Sequence, residues 1–196
     1  QLAAVRADAM LPEGFTVDYL GRRDQRYFEP LPPGERLPAL EKKLRLADAY
    51  VVILPENAYA EREVELLKQF VAKGGRLLLV ADPSRPHRIN SIASAFGVLV
   101  ENDYLYNVKE HETNYQNVFL SRFADDELTR NLSRVVFYTA SSLTAEHGLV
   151  FTDENTFSSL RTGGGGLVTM ARSADRRVVV LSDFTFKTSS PGCSPP

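Results

Sequence analysis

The chain has 196 residues, enough for one domain that buries roughly two-thirds of its unfolded surface in a single core. Its 43% hydrophobic and 24% charged content is that of a soluble globular protein, and no apolar run nears the roughly 18 residues a membrane span needs. The 23 basic and 25 acidic residues leave a net charge of −2, which supplies no field to attract nucleic acid or anionic lipid, and the one cysteine, Cys193, excludes an internal disulfide and a cysteine zinc cluster.

The chain opens at Gln1 with no basic-then-apolar signal segment, which reads as a processed or excised piece. Any membrane anchor is therefore expected in a segment absent from this chain. Residues 2–10 read as a short helix, LPEG as a turn, and FTVDYL, Phe15 to Leu20, as an alternating strand. GRRDQRYFEPLPPGERLP carries four prolines and reads as a surface loop leading to a helix over Leu37 to Leu46.

AYVVILP, Ala49 to Pro55, is an apolar run of the length expected for a parallel strand covered on both faces. In ENAYAEREVELLKQFVAKGG, Val64, Leu67 and Val71 with Leu66 and Phe70 make one apolar helical stripe, ended by Lys73 and Gly74. RLLLVA, Arg76 to Ala81, is a second buried strand. Strand, helix and strand at this spacing make a βαβ unit and hence a parallel sheet. RINSIASAFGV adds a helix with Ile89, Ile92, Ala93 and Phe96 inward, ended by Gly97, and LVEN a short strand.

Periodicity weakens from about 103 to 134, which reads as a Tyr/Asn-rich insertion in a single domain spanning 1–196. RVVFYTASSL, GLVFT and RRVVVL read as strands, and the glycines of TGGGGLVTM as a flexible hairpin or bulge, because they precede a strand rather than a helix and no GK[ST] follows. The fold class expected is α/β: a three-layer sandwich with a mostly parallel central sheet.

In such a sheet, ligands bind where the strand carboxyl ends converge. Three loops qualify, giving Glu56, Asn57, Asp82, Ser84, Arg85, His87 and Asp183 as candidate ligand-binding residues. Glu56, Asp82 and Asp183 have the hard oxygen donors a divalent cation takes, but Asp82 and Asn57 equally suit turns and helix caps, and no local motif specifies a metal. Arg85, His87 and Arg88 suit an anionic group near a helix start. No catalytic residue is assigned, since no GxSxG or GxCxG occurs. Tyr104, Tyr106, Tyr115 and Phe119, interleaved with asparagines, suit either a carbohydrate- or protein-binding face or plain packing.

The block DAYVVILPENAYAEREVELLKQFVAKGGRLLLVADPSR, followed by RINSIASAFGV and RRVVVLSDFTF, resembles the non-catalytic class I glutamine amidotransferase-like domains. These include an uncharacterised prokaryotic family, auxiliary subunits of gliding-motility-type ABC transporters and, more distantly, an intraflagellar transport subunit. The resemblance implies a flavodoxin-like scaffold in which Ala81-Asp82-Pro83 stands where active relatives carry the nucleophilic cysteine. It implies a non-enzymatic domain that binds a protein partner or a small-molecule or carbohydrate ligand, without a cofactor, as an accessory part of an ABC-type transport system. The compartment is then membrane-associated or extracytoplasmic, and otherwise cytoplasmic. Homo-oligomerisation stays open, and the alternative is a hydrolase or sugar-active enzyme using Asp82 and Asp183, with or without a metal.

Overall fold

The computed structural model describes residues 14–23, 28–81, 83–84 and 86–189. The helix expected over 2–10 lies outside them. Phe15 to Leu20 forms no strand. Its alternation finds no ladder partner among the described residues, and the segment is tied instead by the Lys43 ammonium, which donates to Asp18 Oδ2 at 2.7 Å and to the Tyr19 carbonyl. Part of the expected surface loop is a small antiparallel hairpin, β1 (Gly21–Arg23) with β2 (Phe28–Pro30).

The helical part begins with α1 (Pro33–Leu44). It starts on a proline, whose missing N–H falls where a helix has no intrahelical partner to offer. The βαβ unit follows as expected: β3 (Ala49–Ile53), α2 (Glu61–Ala72) and β4 (Arg76–Val80), with the two strands parallel from Ala49↔Arg76 to Ile53↔Val80. Gly75 is required by packing, because a Cβ there would sit 2.4 Å from the Phe70 ring. α3 (Pro86–Ala93) runs into a 3-10 turn that Gly97 ends at φ 76°, a conformation glycine adopts without steric cost. β5 (Val98–Val100) comes next.

The remainder is β-structure: β6 (Leu105–Asn107), β7 (Asn117–Leu120), β8 (Arg122–Phe123), β9 (Arg134–Tyr138), β10 (Leu143–Ala145), β11 (His147–Phe151), β12 (Thr156–Ser158), β13 (Val168–Arg172), β14 (Val178–Leu181) and β15 (Phe186–Ser189). The main sheet has eight strands, in the order β3-β4-β14-β13-β10-β5, with β11 pairing both β13 and β8. Only β3, β4 and β14 run parallel. Every other pairing in the sheet is antiparallel.

This corrects the expected three-layer, flavodoxin-like sandwich with a mostly parallel sheet. The physical reason lies in what covers the two faces. Residues of α1, α2 and α3, including Leu40, Leu67, Phe70, Ile89 and Ile92, pack with Leu77, Leu79, Ala171, Val178 and Val180 in one cluster. Met170 and Leu181, the alternate residues of β13 and β14, pack instead against a second cluster built from Leu105, Val118, Leu120, Val135, Phe137, Leu149 and Val150. Successive side chains of a strand face opposite ways, so the second face is covered by strands where a doubly wound fold would put helices. The strands that cover it come largely from 103–138, of which 103–134 reads as an insertion and the rest as a strand. β3 ends the sheet as it is described, and Val51 stays 43% exposed rather than covered on both faces.

α1 and α2 are stapled by a buried ion pair. Arg36 Nε and Nη2 donate to Glu63 Oε1 and Oε2, both at 2.6 Å, and the guanidinium stacks 4.1 Å from the Tyr59 ring centre.

Candidate functional site

The carboxyl ends of the three parallel strands lie level. Ile53 pairs with Val80 and Val80 with Leu181, and the ladder continues through Leu54 N–H to the Val80 carbonyl and Ala81 N–H to the Leu181 carbonyl. The three loops singled out in the sequence therefore emerge at one end of the sheet. Their side chains do not share one fate. Glu56 and Asn57 are exposed, as are Ser84 and His87, the latter in the first turn of α3. Asp82 and Arg85 lie outside the described residues. Asn57 does not cap α2; the Ala60 N–H at that helix start is taken by Glu63 Oε2 at 2.7 Å. Asp183 is buried, with 1% of its surface exposed.

Asp183 is the unusual residue of this end. Its Oδ1 accepts from the Thr185 N–H at 2.9 Å and the Thr185 hydroxyl at 3.0 Å, an Asx-type turn that closes the strand end. Among the described residues its Oδ2 is buried without a hydrogen-bond partner, and so are Ser182 Oγ and Ser141 Oγ. Burial pushes the Asp183 carboxyl up to about 6, against the opposing pull of its hydrogen bonds. Tyr138, where β9 ends, donates its backbone N–H to the Thr185 carbonyl, and Thr139 follows with φ 73°, an outlier for a β-branched residue. Burial raises the Tyr138 phenol, and the carboxylates of Glu112 and Asp183 raise it further. Among the described residues no group of three His, Cys, Asp or Glu is placed to hold a metal ion.

A second surface lies on the antiparallel ribbon of β6 and β12. The register sets Phe157 opposite Tyr106, and the Ser159 N–H donates to the Tyr104 carbonyl. Strand alternation then puts Tyr104, Tyr106 and Val108 on one face with Ser159, Phe157 and Asn155. The Tyr106 and Phe157 rings stack at 5.9 Å, and Tyr104 lies 6.2 Å from Tyr106. Tyr104 is 41% exposed, Val108 66% and the adjoining Leu160 70%. Phe157 is buttressed by the glycine run: a Cβ on Gly164 would lie 2.9 Å from its ring and from the Glu154 carbonyl oxygen. Within the run, Gly164 and Gly165 pack closely on Phe157 and the Glu154 backbone, whereas a Cβ on Gly163 or Gly166 would meet nothing within 4 Å.

The ribbon's inner face is polar, buried and satisfied. Asp103 Oδ1 accepts from the Ser142 N–H at 2.8 Å, and its Oδ2 accepts from the Ser142 and Ser158 hydroxyls at 2.8 and 2.5 Å. Asn107, fully buried, donates to Thr156 Oγ1 at 3.1 Å and to the Asp153 carboxylate, and accepts from the Lys109 and Glu110 N–H groups. Such networks cost desolvation and add little stability, but they fix geometry. The sequence points to the tyrosines and to Asn107 among the asparagines between them, but not to the anchoring role of Asn107 or of Asp103. The available signal was the period-two spacing of Tyr104-x-Tyr106-x-Val108 and Asn155-x-Phe157-x-Ser159. Of the other tyrosine-stretch candidates, Tyr115 is 50% exposed, with its carbonyl taken by the Asn107 N–H, whereas Phe119 lies on β7 under the Arg134 guanidinium at 4.6 Å.

Two surface grooves lie away from both places. One of about 470 Å³ runs between α2 and α3, beside Tyr59, Val64 and Ser91. The other, about 840 Å³, sits at the amino ends of β3 and β4, beside Arg45, Asp48 and Lys73.

No family model matches the chain, and no curated protein matches it in sequence. Among solved structures it is similar to the mmIFT52 N-terminal domain, with a TM-score of 0.61 and 18% identity over 73% of this chain and 70% of that one. The alpha-L-fucosidase isoenzyme 2 of Paenibacillus thiaminolyticus aligns at a TM-score of 0.38 and 12% identity, over 69% of this chain and 21% of its own, too low to carry an argument. The expected membership of the class I amidotransferase-like domains is thereby corrected, since neither a family model nor a sequence match supports it and the structural likeness is to the β-rich mmIFT52 domain. The helix-Gly-Gly-strand block that carried the resemblance has a local cause, the packing of Phe70 on Gly75, which any strand-following helix can share.

Proposed function

We propose that the chain is a non-catalytic binding domain whose partner is a protein, docked on the outer face of the β6–β12 ribbon. The observation that carries this reading is the coupling of a Tyr104–Tyr106–Phe157 row, in which Tyr104 is exposed and the other two half-buried, to an inner face locked by Asp103 and Asn107. Tyrosine supplies large, amphipathic contact area at low entropic cost, and the residues that anchor interfaces cluster where the surface is already rigid. The rim is polar and mixed in charge, with Lys109 bonded to Asn155 and Arg161 paired with Glu101, as interface rims are. The transport-system reading rests on the amidotransferase resemblance alone.

The test compares the wild type with a Tyr104→Ser, Leu160→Ser double variant, in chemical crosslinking followed by mass spectrometry in lysate of the source cells. Support is a partner protein crosslinked to the ribbon in the wild type and lost in the variant, with melting temperatures within about 2 °C. A partner retained equally by both, or a glycan array bound in a Tyr106-dependent way, would replace this reading.

The carboxylate-enzyme alternative keeps one supporting observation, the raised carboxyl of Asp183. General acid–base chemistry needs such a group within reach of a substrate, and with 1% exposure Asp183 presents no open surface to one.

A further inference from the structure

The two stretches that build the β6–β12 ribbon, 101–112 and 153–161, are unevenly charged. They hold six acidic residues (Glu101, Asp103, Glu110, Glu112, Asp153 and Glu154) against two basic ones (Lys109 and Arg161), a net charge of −4 within a chain whose total is −2. Both cations are occupied: Lys109 Nζ donates to Asn155 Oδ1 at 2.8 Å, and Arg161 Nη2 to Glu101 Oε1 at 2.8 Å. Glu110 and Glu154 are exposed, and among the described residues neither carboxylate has a partner. Both residues belong to the end of the ribbon where Lys109 meets Asn155. The Glu110 N–H is held there by Asn107 Oδ1 at 2.9 Å, and the Glu154 carbonyl lies so near the Phe157 ring that one Cβ on Gly164 would approach both to 2.9 Å.

Aromatic faces and free carboxylates recognise the same chemistry. The face of a tyrosine ring is negative and attracts a cation within about 6 Å of its centre, and a neighbouring carboxylate adds a charge-assisted acceptor. Here Tyr104 and Tyr106 are a tilted pair, with centres 6.2 Å apart at 49°, continued by Phe157 stacked on Tyr106 at 28°. A flat guanidinium suits this row better than a compact ammonium, because it stacks on a ring and keeps its N–H fork for a carboxylate. The interior of the chain uses that arrangement itself: Arg36 lies 4.1 Å from the Tyr59 ring centre while its fork holds Glu63. Among the described residues no cation covers Tyr104, Tyr106 or Phe157 in this way. We propose that the partner docked on the β6–β12 ribbon is a protein presenting an arginine-bearing segment, laid along the row with guanidinium groups over the tyrosines and opposite Glu110 and Glu154 at its end. This inference rests on the ribbon being the docking face. Nucleic acid, a polyanion, is repelled by the same charges.

The probe is an acetylated peptide of alternating arginine and glycine, compared with its glutamate–glycine counterpart and with spermine, a cation that has no planar group. Each is titrated into nitrogen-15-labelled protein and followed by heteronuclear NMR at low and high sodium chloride. The expected result is movement of the amide resonances of Tyr104 to Val108 and Asn155 to Leu160 with the arginine peptide alone, weakened at high salt. Glu110→Gln with Glu154→Gln is expected to weaken binding about three- to tenfold, the scale of two exposed charge pairs, and Tyr104→Ser to weaken it as well. Unmoved resonances of the main sheet report that these surface variants stay folded. Binding of the glutamate peptide, equal binding of spermine, an unmoved ribbon, or full affinity in either variant overturns the proposal. The docking face itself is judged separately, by the crosslinking experiment. A partner lost from Tyr104→Ser, Leu160→Ser but kept by Glu110→Gln, Glu154→Gln overturns the arginine-bearing partner and leaves the docking face standing, whereas no partner at the wild-type ribbon removes both.

Discussion

Arg36 on α1 and Glu63 on α2 meet in a two-pronged ion pair, with both hydrogen bonds at 2.6 Å and the side chains 8% and 2% exposed. The same glutamate closes the start of α2 through the Ala60 N–H, and the arginine also donates to the Ala58 carbonyl at 2.7 Å. One residue pair thus fixes the angle between two helices and the loop that enters the second. Hydrogen bonding to Glu63 holds the Arg36 guanidinium even more firmly protonated than usual.

Glu63→Gln is expected to cost about 3–5 kcal/mol, because Arg36 is left charged in a dry site. Replacing both partners together, Arg36→Met with Glu63→Leu, is expected to recover most of that loss. Urea unfolding followed by far-UV circular dichroism checks this through the midpoint at constant slope. A double variant no better than the single would show that the pair contributes more than geometry.

Asp183 gives stability a pH dependence of definite sign. Its carboxyl is raised from 3.8 to about 6 in the folded protein, so between those values the native state binds the proton more tightly than the unfolded chain. Its contribution is complete below about pH 4 and is lost as pH rises through 6, an effect on the order of 3 kcal/mol for a fully buried group. Asp183→Asn is expected to flatten the stability profile between pH 4 and 7 and to match or exceed the wild type at pH 7.5. Chemical denaturation at half-unit pH intervals reads this out, and a variant that loses stability only above pH 6 would contradict it.

Gly75→Ala places a Cβ where the Phe70 ring now lies, at 2.4 Å. Phe70 is 7% exposed in the helix-side cluster and has little room to move, so a loss of about 1–3 kcal/mol is expected. Phe70→Leu in the Gly75→Ala background should return part of it, and thermal unfolding of the three variants decides.

Asp103→Ala removes the acceptor shared by the Ser142 N–H, the Ser142 hydroxyl and the Ser158 hydroxyl, all buried. The expected cost is about 1–3 kcal/mol for each donor left unmet, with selective loosening of the ribbon. The chain has no tryptophan, so near-ultraviolet dichroism reports mainly the tyrosines and should lose intensity while the far-ultraviolet spectrum holds.

The βαβ unit from Ala49 to Val80 is legible in the sequence because its signals are local: an apolar run, a helical stripe and a glycine pair, all within about 35 residues. The convergence of three loops at one sheet end follows from that topology, and Asp183 falls there for the same reason. The depth of Asp183 and its bare Oδ2 have no sequence signature. The second face failed to announce itself because its pairings are distant. Tyr106 meets Phe157, and Val118 meets Phe137, which in turn meets Phe186, and no local period says which strand will answer which. The apparent insertion is half of a layer whose other half comes later in the chain.

The parallel partner of β4 is β14, and Leu77 waits for Val178, about 100 residues further on. At the roughly 5–20 residues per second of synthesis, an emerging chain carries the finished βαβ unit for about 5–20 seconds with one side of β4 unzipped. Throughout that interval the nascent protein offers RLLLV, a short apolar strand open to mispairing, so its yield in the cell should depend on chaperone capacity more than the finished fold's stability would suggest.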